Sequence, residues 1–227
     1  MSVLYTMNFL SHYYLLPEKE NTDKVAGNLL PDLMRGFTKI YHQEIKPIQE
    51  IHHTDIVKGI HYHLETDALF HQHQFFIDHC KDLKQITASY DLPMTKNYIV
   101  SHVLLELIID QYLMEKEANL APAFYESLSQ ALEGELEEKI KMTVSRQNSK
   151  KIISIFRSFT DSQYAYSLQK NTGIQEALHQ IIGKRIGLTF QEANWGKAIQ
   201  EGKEKISEAL PSFLEHLKDE LNYAEKD

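Results

Sequence analysis

The chain has 227 residues, with 24 Lys and Arg against 32 Asp and Glu, 42% apolar content, one Cys and twelve His. Its length suits one domain, 1–227, with a substantial core, and its apolar share excludes wholesale disorder. Cys80 alone excludes an internal disulfide framework or a Cys-rich zinc module, and the net charge of −8 argues against a nucleic-acid binder.

Few glycines and prolines, with apolar residues recurring at three- and four-residue intervals, predict an all-α chain. The expected helices are 5–15, 23–36, 45–79, 94–116, 119–143, 147–168, 172–186 and 191–223. Pro17 should end the first, and Asn21-Thr22-Asp23 offers caps for the second. The 45–79 stretch could break near Gly59, Asp91-Leu92-Pro93 reads as a turn, and Gly187 is placed to close a helix. No apolar run reaches the ~18 residues of a membrane span, and no basic-then-apolar leader opens the chain. A cytoplasmic protein without a membrane contact is expected.

Histidine is distributed unevenly. Ten of the twelve fall within residues 12–102, and seven of these crowd into 52–79. Histidine is the side chain best suited to metal ligation and to proton transfer near neutral pH. Polar residues also recur four apart on otherwise apolar helices: Asn8 and His12; Asn28 and Asp32; His63, Asp67 and His71; His102, Glu106 and Asp110. Residues at that spacing share a helix face. A carboxylate on a buried face must pair or hold a cation. The spacing therefore fits either satisfied ion pairs or a centre for Mn²⁺, Fe²⁺, Zn²⁺ or Mg²⁺. A di-metal carboxylate bundle would need two Glu-x-x-His motifs, and only Glu176–His179 fits.

The same residues carry a resemblance. Met7-Asn8-Phe9-Leu10-Ser11-His12, Gly27-Asn28-Leu29-Leu30-Pro31-Asp32-Leu33-Met34-Arg35-Gly36, Gly59-Ile60-His61-Tyr62-His63-Leu64-Glu65-Thr66-Asp67, and Gly173-Ile174 with Leu178 and Arg185 resemble, in order, four motifs of the acyl carrier protein phosphodiesterase family. The resemblance implies a helical fold like that of HD-type metal phosphohydrolases. It also implies a phosphodiesterase that removes 4′-phosphopantetheine from holo acyl carrier protein, a protein of fatty acid biosynthesis. The implied cofactor is a divalent cation, Mn²⁺ preferred.

Carried over by position, the resemblance points to His12, Asp32, His63 and Asp67 as metal ligands. Asp32, His63, Asp67 and His102 become the catalytic candidates, with His102 an additional ligand or a proton donor. Asn8, Asn28, Glu106 and Asp110 would support them from behind, the last two as rearranged ligands or as structural pairs. Three positions depart from the family's pattern: Leu64 replaces an Arg suited to phosphate, His71 replaces an Asp, and Ser101 replaces the Asp of an Asp–His pair. His52, His53, His73 and His79 read as surface residues.

An acidic carrier protein would need a local basic patch on this acidic chain. Lys139, Lys141, Arg146, Lys150, Lys151 and Arg157 fall in a stretch with no acidic residue. They could dock the partner, or form a solvated helix face with Glu135–Lys139 and Glu137–Lys141 pairs. Two other readings stay open: a metal-dependent phosphohydrolase of a nucleotide or other small phosphoester, and a non-catalytic helical binding protein.

Overall fold

The computed structural model describes residues 9–35, 54–90, 92, 97–183 and 192–224. Within them the chain is helical and contains no strand. The expected helical segments at 5–8, 45–53, 94–96 and 184–186, and Gly187, lie outside the described residues. The helices are α1 (Phe9–Leu15), α2 (Thr22–Arg35), α3 (Asp55–Gln72), α4 (Gln74–Ser89), α5 (Asn97–Lys116), α6 (Leu120–Glu133), α7 (Leu136–Thr143) and α8 (Arg146–Ser162). A 3₁₀ segment, Tyr164–Gln169, leads to α9 (Asn171–Leu178), which runs on into a π turn, His179–Gly183; α10 (Glu192–Ser207) and α11 (Leu210–Ala224) follow. No described helix is long and apolar enough to cross a membrane.

Two compact units emerge, residues 1–65 with 118–166, and residues 66–117 with 167–227. Helix α3 contributes its first part to one and its second part to the other.

In the first unit α2 packs against α1, α6 and α8. Its start is capped as expected, Asn21 Oδ1 accepting from Lys24 N at 3.1 Å. Gly27 and Gly59 govern how α2 and α3 meet. A Cβ on Gly27 would sit 2.0 Å from the Ile56 carbonyl oxygen, and one on Gly59 would sit 2.1 Å from the Lys24 carbonyl oxygen. Gly59 is therefore not a break. It lies inside a continuous α3, where the missing side chain lets two backbones touch. The real break comes at His73, whose Nδ1 accepts from Phe75 N at 3.1 Å and caps α4. Tyr62 donates to the Leu15 carbonyl at 2.7 Å, fastening α3 to the end of α1. Phe9, Phe124, Tyr125 and Phe159 fill the space behind.

In the second unit α5 packs on α4 and α9, and α10 packs on α4, α5 and α9. Residues Val103–Asp110 of α5 are all buried, Glu106 and Asp110 among them, so this helix is enclosed on every side and runs through the core. The predicted single helices 119–143 and 191–223 each divide. Gly134 ends α6, its N–H bonding to the Gln130 carbonyl at 3.0 Å, and a two-residue turn separates α10 from α11. Apolar periodicity continues across both turns, so it carries no sign of them.

Candidate metal centre

Four residues of the first unit converge in a buried interior. Helix α1 supplies His12, α2 supplies Asn28 and Asp32 one turn apart, and α3 supplies His63. Each is at most 3% exposed. The imidazoles of His12 and His63 stack with centroids 3.9 Å apart and planes inclined by 22°. His63 Nε2 lies 3.6 Å from Asp32 Oδ1, too long for a direct hydrogen bond. His12, Asn28 and Asp32 border one narrow enclosed gap with Phe9, Tyr13, Val25, Leu29 and Phe124. The tight α2–α3 crossing at Gly27 and Gly59 precedes Asn28 and His63 by one residue and about one turn, which fixes how deep each side chain reaches.

This donor set suits a divalent cation. Two imidazoles, a carboxylate and an amide oxygen are the ligand types of Mn²⁺, Fe²⁺ or Zn²⁺ sites. Asn28 Oδ1 is buried with no hydrogen-bond partner, which costs free energy unless an ion or a water satisfies it.

The other predicted residues are placed as follows. Asp67 stands one turn after His63 on α3, in the second unit, with Oδ1 3.0 Å from His71 Nε2. His102 and Glu106 lie one turn apart on α5, His102 Nε2 to Glu106 Oε1 being 3.0 Å, and Asp110 is buried one turn further on. His71 Nε2 also lies 3.5 Å from Glu106 Oε1. Asn8, His52 and His53 lie outside the described residues. His61 points outward, while His73 and His79 are half-buried. The His73 ring rests near Phe213 and His216, and that of His79 on Phe75. Burial draws both imidazoles below their ordinary pKa, more than neighbouring charges do. Leu64 is half-buried, and Ser101 is buried with its hydroxyl donating to the Tyr98 carbonyl at 3.1 Å.

The association of His71 with His102 was not evident from spacing. The only local sign was that His71 extends the His63–Asp67 series by one more turn.

The basic stretch is largely engaged. Lys139 pairs with Asp23 of α2 rather than with Glu135. Lys141 lies 3.0 Å from Glu137 and 2.7 Å from Glu138, and the Lys141 ammonium holds the Glu137 carboxyl below its ordinary pKa. Arg157 reaches Glu137 at 4.0 Å, and Lys150 and Lys151 are exposed on α8. The side chain of Arg146 lies outside the described residues.

No curated protein and no solved structure matches the chain. The family model described as acyl carrier protein phosphodiesterase matches residues 7–217, spanning both units and every motif quoted above. The chain belongs to the acyl carrier protein phosphodiesterase family.

Proposed function

We propose that the protein is a divalent-cation-dependent phosphodiesterase that releases 4′-phosphopantetheine from holo acyl carrier protein, with Mn²⁺ as the fitting ion. The observation that carries this is the burial of His12, Asn28, Asp32 and His63 together, each at a family motif position. His12, Asp32 and His63 would hold the cation. When bound, such an ion lowers the pKa of a coordinated water and stabilises charge on the phosphoryl oxygens.

The chain's own groups do the remaining work. The stacked rings of His12 and His63 keep the donors in place without rotamer search. Asp32 faces His63 Nε2 and offers a carboxylate that can hold a proton there. Asn28 Oδ1 offers an acceptor that can orient a water for attack. Phe9 and Phe124 exclude bulk solvent, which strengthens each of these interactions.

Leu64, standing where the family carries Arg, favours a second reading: hydrolysis of a nucleotide or another small phosphoester. One assay separates the two. Incubation with Mn²⁺ should release phosphopantetheine from holo carrier protein, and Asp32→Asn and His63→Ala should each abolish the release. Turnover of small phosphodiesters without release from the carrier protein would establish the second reading. Wild-type rates in both variants would remove the site assignment.

A further inference from the structure

The second unit contains an arrangement that the reading above leaves unused. Glu106 is 2% exposed in a helix whose neighbouring residues are Leu and Ile. A carboxylate there needs positive charge close by. Its Oε1 lies 3.0 Å from His102 Nε2 and 3.5 Å from His71 Nε2, so both rings aim the same nitrogen at one oxygen. Its Oε2 is buried with no hydrogen-bond partner, as is His71 Nδ1. The polar chemistry of His71 is thus concentrated on its Nε2 edge.

The two rings stand close, with centroids 4.5 Å apart and planes inclined by 33°, and both present Nε2 to the same carboxylate oxygen. One divalent ion shared by both rings supplies the positive charge that the buried carboxylate needs.

The packing supports fixed ligands. Phe76 presents an edge-to-face contact to both rings, at 4.6 Å to His71 and 4.9 Å to His102. Phe70 also meets His71 edge to face, at 5.4 Å. Donor atoms of His71, His102 and Glu106 all lie within 4.8 Å of one another. Ligands at ~2.1 Å from a tetrahedral ion stand ~3.4 Å apart, within the range of the two contacts to Glu106 Oε1.

We infer that His71, His102 and Glu106 form a binding site for a transition-metal cation of the Zn²⁺ class. Two nitrogens and a carboxylate oxygen favour Zn²⁺ over Mg²⁺ or Ca²⁺, which prefer all-oxygen shells. Asp67, with Oδ1 3.0 Å from His71 Nε2, supplies the second negative charge that makes the loaded site neutral. None of the three ligands is used in the proposed phosphodiesterase chemistry, so the two assignments stand or fall separately.

The test is a Zn²⁺ titration of full-length protein, stripped with chelator, against a competing chromophoric chelator. Co²⁺ absorption then reads the coordination number. Glu106→Gln keeps the shape of the side chain, and His71→Gln and His102→Gln each remove one nitrogen. Each should weaken one equivalent of Zn²⁺ at least ~100-fold, with unchanged helical circular dichroism and loss of the four-coordinate Co²⁺ band. His12→Phe and Asp32→Asn should leave that equivalent in place. The inference is overturned if Glu106→Gln binds as many equivalents as tightly as the wild type. It is equally overturned if the stripped wild type takes up no Zn²⁺.

Discussion

The imidazole of His12 lies flat against that of His63, 3.9 Å between centroids, although the two residues are 51 positions apart in sequence. Face-to-face contact disfavours charge on both rings and suits neutral imidazoles sharing one ion. Replacing His12 by Phe keeps the stack and removes the nitrogens, so it separates packing from ligation. Mn²⁺ at about a hundredfold over its Kd should add ~2.7 kcal/mol to the wild type, or roughly 5–10 °C in Tm for a chain of this size. His12→Phe and Asp32→Asn should lose that increment while melting near the wild-type temperature without Mn²⁺. An undiminished Mn²⁺ shift in His12→Phe would assign His12 to packing alone.

The α2–α3 crossing gives a second expectation. Gly59→Ala would place a Cβ 2.1 Å from the Lys24 carbonyl oxygen and 2.7 Å from the Asn28 amide nitrogen, both backbone atoms that cannot turn aside. The helices must separate, at an overpacking cost of about 1–3 kcal/mol or more. Because Asn28 is itself displaced, Mn²⁺ affinity should fall together with Tm. Gly134→Ala is the contrast. Its Cβ would meet its nearest atoms at 3.4 Å and its φ is −81°, so stability should change by no more than ~0.5 kcal/mol. Thermal melts of both variants check the difference.

These two cases also mark what a one-dimensional reading can reach. The helical class is legible because a 3.6-residue apolar period is a local property. His12, Asp32 and His63 are legible as candidates because polar residues on apolar helix faces are costly unless used. Gly59 misleads, since glycine marks a chain break and a close helix crossing with the same letter; only the partner backbone at Lys24 tells them apart. Lys139 misleads in the same way: the i−4 Glu135 is its evident partner along the helix, while Asp23 reaches it across the fold. The pairing of His71 with His102 depends on how α3 meets α5, which no spacing within either helix encodes.

Cys80 is buried on α4, and that burial, with a smaller contribution from the Glu106 charge, pushes its thiol up to about 12. Thiolate is the reactive form, so the native protein should resist Ellman's reagent at pH 8 while denatured protein titrates one thiol. The linkage has a definite sign. The folded state holds this proton more tightly than the unfolded state, so the stabilisation is complete below the unfolded value near 9 and is lost as pH rises towards about 12. Melting temperature should therefore fall over that alkaline window, and less steeply in Cys80→Ala. Rapid labelling of folded protein at pH 8 would contradict the burial.

The charge available to attract an acidic carrier protein is narrower than the composition of 139–157 implies. Lys139, Lys141 and Arg157 already face Asp23, Glu137 and Glu138, which cancels much of their field at a distance. Lys150 and Lys151 are exposed on α8, and Lys150 borders a shallow groove with Arg157, Ser154 and Ser158. Docking through this face is probed at that exposed lysine pair. Reversing both to Glu should slow association roughly tenfold at low ionic strength and flatten its salt dependence, because rim charges act mainly on the encounter rate. The rate of dissociation should change little. Lys141→Glu should have a smaller effect on association, since its charge is already balanced by two carboxylates on α7. Stopped-flow association with holo carrier protein at several salt concentrations measures all three quantities, and an unchanged association rate in the double reversal would move the docking face elsewhere.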